Sequence, residues 1–88
     1  MGTFIGGSAY AMAKEIMEGY ILLSPTFMKK YTDAEIVTLR LELEKFQREI
    51  RSEKFPLDDI EALKKKNRKI QRTSSALMTI KNFLQSRR

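Results

Sequence analysis

The chain contains no cysteine, no histidine and no tryptophan. Without cysteine, no disulfide can staple the fold. Without cysteine and histidine, the usual ligands of zinc, haem and most transition metals are missing, and no cofactor is expected. Proline (two) and glycine (four) are scarce, and the glycines all fall within the first nineteen residues. Long helices are therefore permitted. No apolar run approaches the roughly 18 residues needed to span a bilayer, and no basic segment precedes an apolar one at the N-terminus as in a secretory signal. No membrane span is expected, and the cytoplasm is the expected location.

Catalytic constellations are also lacking. There is no Ser–His or Cys–His pair and no glycine-rich phosphate loop. The close carboxylate pairs are Asp58 with Asp59, and Glu42 with Glu44. A helix N-terminus accounts for the first, and the second flanks an apolar position on an exposed surface. Neither resembles an acid/base pair held in divergent environments. The expectation is a protein that is not an enzyme and takes no small-molecule substrate.

What remains is a composition that folds. Of the 88 residues, 42% are hydrophobic and 32% charged, enough for one small domain of modest buried surface. The net charge of +6 is unevenly placed. Residues 1–55 carry eight basic and eight acidic side chains, and residues 56–88 carry nine basic and three acidic ones. The excess lies wholly in the last segment, as in chains with a polyanionic partner.

Residues 1–8 are glycine-rich and read as an irregular leader; Met12-Ala13-Lys14 would serve as a native start, so the leader is compatible with a vector-derived origin. Residues 9–88 read as a single helical domain. Ala9, Met12, Ala13, Ile16, Met17, Tyr20 and Leu23 recur at helical spacing and predict a first helix over 9–23, with Gly19 as a weak internal position. Ser24-Pro25 stops it and can cap a short turn over 25–30. Thr32-Asp33-Ala34-Glu35 is a capping box opening a second helix that runs to about residue 54. Pro56 ends that helix, with Phe55 as the turn, and opens a third helix to about residue 85 whose first turn holds Asp58, Asp59 and Glu61.

Ile36, Leu39, Leu43, Phe46 and Ile50 form a continuous heptad stripe on the second helix. Its partner stripe on the third is read as Ile60, Leu63, Asn67, Ile70, Ser74 and Leu77, then Ile80 and Leu84. A short turn then gives an antiparallel hairpin in which Ile50 meets Ile60 and Ile36 meets Ser74, and Asn67 fixes the register. Val37 and Leu41 on one helix, with Ala76, Ile80 and Phe83 on the other, lie off this seam. They call for cover by the first helix or by a second copy of the chain. The predicted fold class is all-α: a two-helix hairpin plus a shorter N-terminal helix, a protomer suited to dimerise into a larger bundle.

Residues 64–72 hold six basic side chains and no acid. At 100° per residue, Lys65, Arg68, Lys69 and Arg72 share the face opposite the seam, a ridge suited to phosphates. No aromatic residue is interleaved to stack on bases, so any nucleic-acid binding would be to backbone. The ridge also lacks the adjacent bulky apolar residues of a membrane-surface helix. Thr73-Ser74-Ser75 after Arg72 reads as a small polar patch where another helix approaches, with a kinase site as the alternative. The methionines and tyrosines at helical spacing read as core.

Thr32-Asp33-Ala34-Glu35, the leucines from Leu39 to Leu43 and the basic run from Asn67 to Arg72 together resemble the two-helix ribosomal proteins of the large subunit found near the exit tunnel. The likeness covers residues 32–79 and is one of pattern; the first thirty residues have no counterpart in it. The leading expectation is a protein–protein interaction or self-association module acting through Val37, Leu41, Ile80 and Phe83, joined by Tyr20 and Ile16 if the first helix moves. The alternative is nucleic-acid binding through Lys65, Arg68, Lys69 and Arg72.

Overall fold

A computed structural model of the chain describes residues 7–53 and 58–86. They form four helices: α1 (Ala9–Glu18), α2 (Pro25–Met28), α3 (Asp33–Ser52) and α4 (Ile60–Ser86). No strand occurs among the described residues. The expectation of an all-α chain holds.

Local chemistry sets most helix ends. Ser8 closes the expected leader by capping α1, its hydroxyl accepting from the Ala11 N–H at 3.1 Å. The Ser24 hydroxyl accepts from the Phe27 N–H, with Pro25 in the first turn of α2. At Thr32 the capping box is complete, as its sequence predicts: the Glu35 N–H donates to Thr32 Oγ1 at 3.2 Å and the Thr32 N–H to Glu35 Oε1 at 2.8 Å.

Two boundaries differ from expectation. α1 stops at Glu18 rather than at Leu23, because Gly19 is not an internal residue but the terminator. It takes φ 90°, the left-handed region, where a glycine carries no Cβ penalty. The Gly19 N–H then donates to the Ile16 carbonyl and the Tyr20 N–H to the Glu15 carbonyl. Asp59 caps α4 instead of sitting inside its first turn, its Oδ1 accepting from the Ala62 N–H at 3.0 Å. The expected turn at Phe55-Pro56 lies outside the described residues.

The stripe on α3 is buried as its spacing predicts: Ile36, Leu39, Leu43, Phe46 and Ile50 all belong to one core cluster. The stripe on α4 is the predicted one only in part: Ile80 is buried, and Ile70, Leu77 and Leu84 pack half-buried against the core. Its buried residues are Thr73, Ala76, Ile80 and Phe83, while Asn67 is exposed and Ile60 is 63% exposed. Asn67 therefore fixes no register. Gln47 donates to the Ser74 hydroxyl at 2.7 Å and Lys66 to the Glu53 carbonyl at 3.0 Å. The expected hairpin placed Ile36 opposite Ser74, so these two contacts put α4 about nine to eleven residues from its expected register along α3, roughly 14–16 Å at helical rise.

Hydrophobicity explains the slip. The N-terminal half of α4 is lysine-rich and its C-terminal half holds Ala76, Leu77, Ile80, Phe83 and Leu84. The expected register would press Asn67 and lysine stems into the seam, which costs free energy unless every polar group is paired. The observed one gives α3 the apolar half of α4, at about 25 cal/mol per Å² of apolar surface removed from water. α4 has 27 residues and α3 has 20, so the first turns of α4 run past the end of α3.

α1 packs against both long helices and α2 against α4. Met12, Ala13, Ile16, Met17 and Met28 enter the same core as Ile80 and Phe83. Tyr31 is buried there too, its hydroxyl donating to Met12 Sδ at 3.8 Å.

Two predictions follow from this core. Ile80→Ala should lower stability by about 2–5 kcal/mol, since it leaves a cavity at a fully buried site, whereas Leu41→Ala, on the surface, should stay within about 0.5 kcal/mol. Urea denaturation followed by circular dichroism decides this. Second, burial, helped by the Glu35 charge, raises the Tyr31 phenol above its ordinary value of 10.0. The folded chain thus holds that proton to higher pH than the unfolded chain. The resulting stability is whole below about pH 10 and is lost as pH rises through the folded-state value. Tyr31→Phe should flatten the alkaline fall in denaturation midpoint relative to the parent.

Candidate protein-docking surface

The four residues of the expected basic ridge divide into two pairs. Lys65, Arg68 and Arg72 are exposed and Lys69 is half-buried. Lys69 and Arg72 turn toward α1. Lys69 Nζ lies 3.6 Å from Glu18 Oε1, and Arg72 Nη1 donates to the Met17 carbonyl at 3.3 Å. The face opposite the expected seam is therefore where the first helix docks. Both cations sit at the C-terminal end of α1, where unsatisfied carbonyls and the helix dipole favour positive charge. The Lys69–Glu18 pair is more than a third exposed at each end, so it contributes at most about 1 kcal/mol. Arg72 also presses on Gly19: a Cβ placed there would lie 2.8 Å from Arg72 Cζ.

The expected partner surface divides in the same way. Leu41 is 54% exposed and Val37 half-buried. Ile80 and Phe83 are buried, because α1 and α2 pack at α4 with Ala76, Ile80 and Phe83 in the core. They cannot reach a partner without unfolding, and their place in the expected surface is corrected. Ile16 is likewise buried.

The apolar side chains that do reach solvent stand elsewhere. Ending α1 at Gly19 releases Tyr20–Leu23 into a loop along α4. Leu23 is buried and Ile21 half-buried, anchoring the loop, while Tyr20 is 77% and Leu22 89% exposed. Between this loop and α4 runs an open groove of about 700 Å³ whose walls include Ile21, Leu22, Arg68, Gln71, Arg72 and Ser75. A second groove, of about 420 Å³, lies where α1, α3 and α4 converge; its floor has Met17, Phe46 and Ile50, and its rim has three lysines among four carboxylates.

The sequence expectation missed Leu22 altogether and placed Tyr20 on a helix. The available signal was Gly19 itself, followed by four large side chains and then Ser24-Pro25. A glycine five residues before a second helix start leaves too little chain to bury all four.

Comparison with protein-family models, with curated proteins and with solved structures finds no match to this chain. The likeness to two-helix ribosomal proteins accordingly rests on the residue pattern alone. No helix among the described residues is long and apolar enough to cross a membrane.

If Lys69 and Arg72 serve α1 while Arg68 does not, substitutions separate them. Arg72→Ala and Gly19→Ala should each lower stability by about 1–2 kcal/mol, the first by freeing the α1 carbonyls and the second by straining a left-handed position. Arg68→Ala should change it by less than about 0.5 kcal/mol. Equal effects of Arg68→Ala and Arg72→Ala in denaturant titrations would contradict this division.

Proposed function

We propose that the protein is a non-catalytic helical docking module that binds another protein through the groove between the 19–24 loop and α4. The observation that carries this reading is the exposure of Tyr20 and Leu22 on a loop anchored beside an open groove. A single exposed leucine means little. Two adjoining large side chains beside a concave surface with half-buried Ile21 make a contiguous apolar patch of the kind that marks interaction sites.

The nucleic-acid reading retains Lys64, Lys65, Arg68 and Arg72 as exposed cations. It is weakened in part, since Lys69 pairs with Glu18 and Arg72 gives one N–H to the Met17 carbonyl. Self-association through Val37 and Leu41 retains two of its four residues. Both stand as outcomes that the following experiment separates.

A photo-crosslinking amino acid is placed at position 22, and separately at positions 41 and 65, in cells that make the protein. The docking reading expects a discrete adduct with a different protein from position 22. An adduct of twice the chain mass from position 41 would favour the dimer. A nucleic-acid adduct from position 65, with none at 22, would replace this reading with its rival.

A further inference from the structure

We infer that the groove takes an acidic amphipathic helix of about three turns, an inference that rests on the docking reading above. The α4 residues lining the groove lie between Arg68 and Thr79, a span of eleven steps or about 16 Å, the length of three helical turns. Its lining carries two guanidinium groups and no carboxylate. Arg68 is exposed, and no carboxylate pairs with it among the described residues. Arg72 spends one N–H on the Met17 carbonyl, and a guanidinium has five. Such forks match carboxylates in geometry as well as charge. Arg68 and Arg72 are one turn apart on α4, so the complementary ligand offers two carboxylates one turn apart.

The apolar half of the match is equally specific. Ile21 and Leu22 form one wall, and Ser75 and Ala76 leave a shallow floor where a helix can approach closely. This is the helix-in-groove mode, in which anchors at i, i+3 or i+4, and i+7 are read along one face. Strand addition has no template, since no sheet edge exists among the described residues. A second copy of the chain is a poor occupant. On the α3 surface around half-buried Val37 and exposed Leu41, Arg40 is already paired with Glu44 and Lys45 and Arg48 are exposed, so it offers Arg68 and Arg72 no free pair of carboxylates one turn apart.

The test displays a library of randomised exposed positions on a helical peptide scaffold and selects it against the whole protein. Winners should combine an apolar stripe with at least two carboxylates one turn apart. Their affinity, read by fluorescence anisotropy, should fall about tenfold or more with Arg68→Glu and with Leu22→Ser. It should also weaken between about 50 and about 200 mM salt. Both positions are exposed, and unchanged circular dichroism confirms that the variants remain folded.

Winners that are neutral or basic, or binding indifferent to Arg68→Glu, would overturn the acidic assignment. If those winners still lost affinity with Leu22→Ser, the docking reading would survive without it. Failure of any peptide to enrich overturns the inference as well. If labelled duplex RNA then bound with sensitivity to Arg68→Glu but not to Leu22→Ser, the docking reading would fall with it.

Discussion

The unequal halves of α4 govern the rest of the molecule. One long helix carries six of its seven cations in the first half and most of its large apolar side chains in the second. Only the second half can be buried against α3 at a gain, because lysine and asparagine in a dry seam forfeit hydration without compensation. The register that follows sets Ser74 against Gln47 and brings the lysine-rich turns alongside the end of α3, with Lys66 on the Glu53 carbonyl. It also brings Lys69 and Arg72 level with the end of α1. Much of the charge that looks available in the sequence is thereby committed within the fold.

That commitment matters because α1 is short. Ten residues are below the length at which an isolated helix is stable in water. Its persistence depends on what meets its ends and its inner face. Ser8 satisfies one orphan donor, the Gly19 turn satisfies carbonyls of the last turn, and Arg72 takes the Met17 carbonyl. Met12, Ala13, Ile16 and Met17 supply the packing. Gly19 joins the two roles. It ends the helix and, lacking a side chain, lets the Arg72 guanidinium lie against the backbone. The loop that starts there is aimed along α4, which creates the groove.

Features decided by neighbouring residues were legible in the sequence. The capping box at Thr32, the serine–proline start at Ser24 and the α3 stripe follow from chemistry within one or two turns, and all are present as read. The α4 stripe was misread for a different reason. The stripe as read, residues 60, 63, 67, 70, 74, 77, 80 and 84, and the buried one, residues 73, 76, 80 and 83, are neighbouring stripes that share Ile80, and periodicity does not rank them. Which one is buried depends on how far α4 slides, a tertiary quantity that a tight-turn assumption fixed wrongly. The ridge of Lys65, Arg68, Lys69 and Arg72 was read correctly as a shared face. Opposite the seam was taken to mean toward water, although a third helix must cover one side of any two-helix layer. Ile80 and Phe83 were recognised as needing cover, and they are covered within the chain by the helices that precede α3.

The run of hydroxyl residues in the middle of α4 shows how one segment serves both core and groove. Thr73 points inward, and its hydroxyl donates back to the Lys69 and Ile70 carbonyls at 3.0 and 2.9 Å, which offsets the cost of burying it. Ser74 turns to α3 and accepts from Gln47. Thr79 returns its hydroxyl to the Ser75 carbonyl at 2.9 Å. Ser75 itself lines the groove, where its small, polar side chain keeps open a space that a leucine would fill. Helical rotation of 100° per residue sends Thr73 into the core and leaves Ser74 and Ser75 lining the groove, with Ser74 also meeting Gln47 of α3. A polar run that looks uniform in sequence thus leaves a trough between Arg68 and Thr79, and the fold sets the apolar loop of Ile21 and Leu22 beside it.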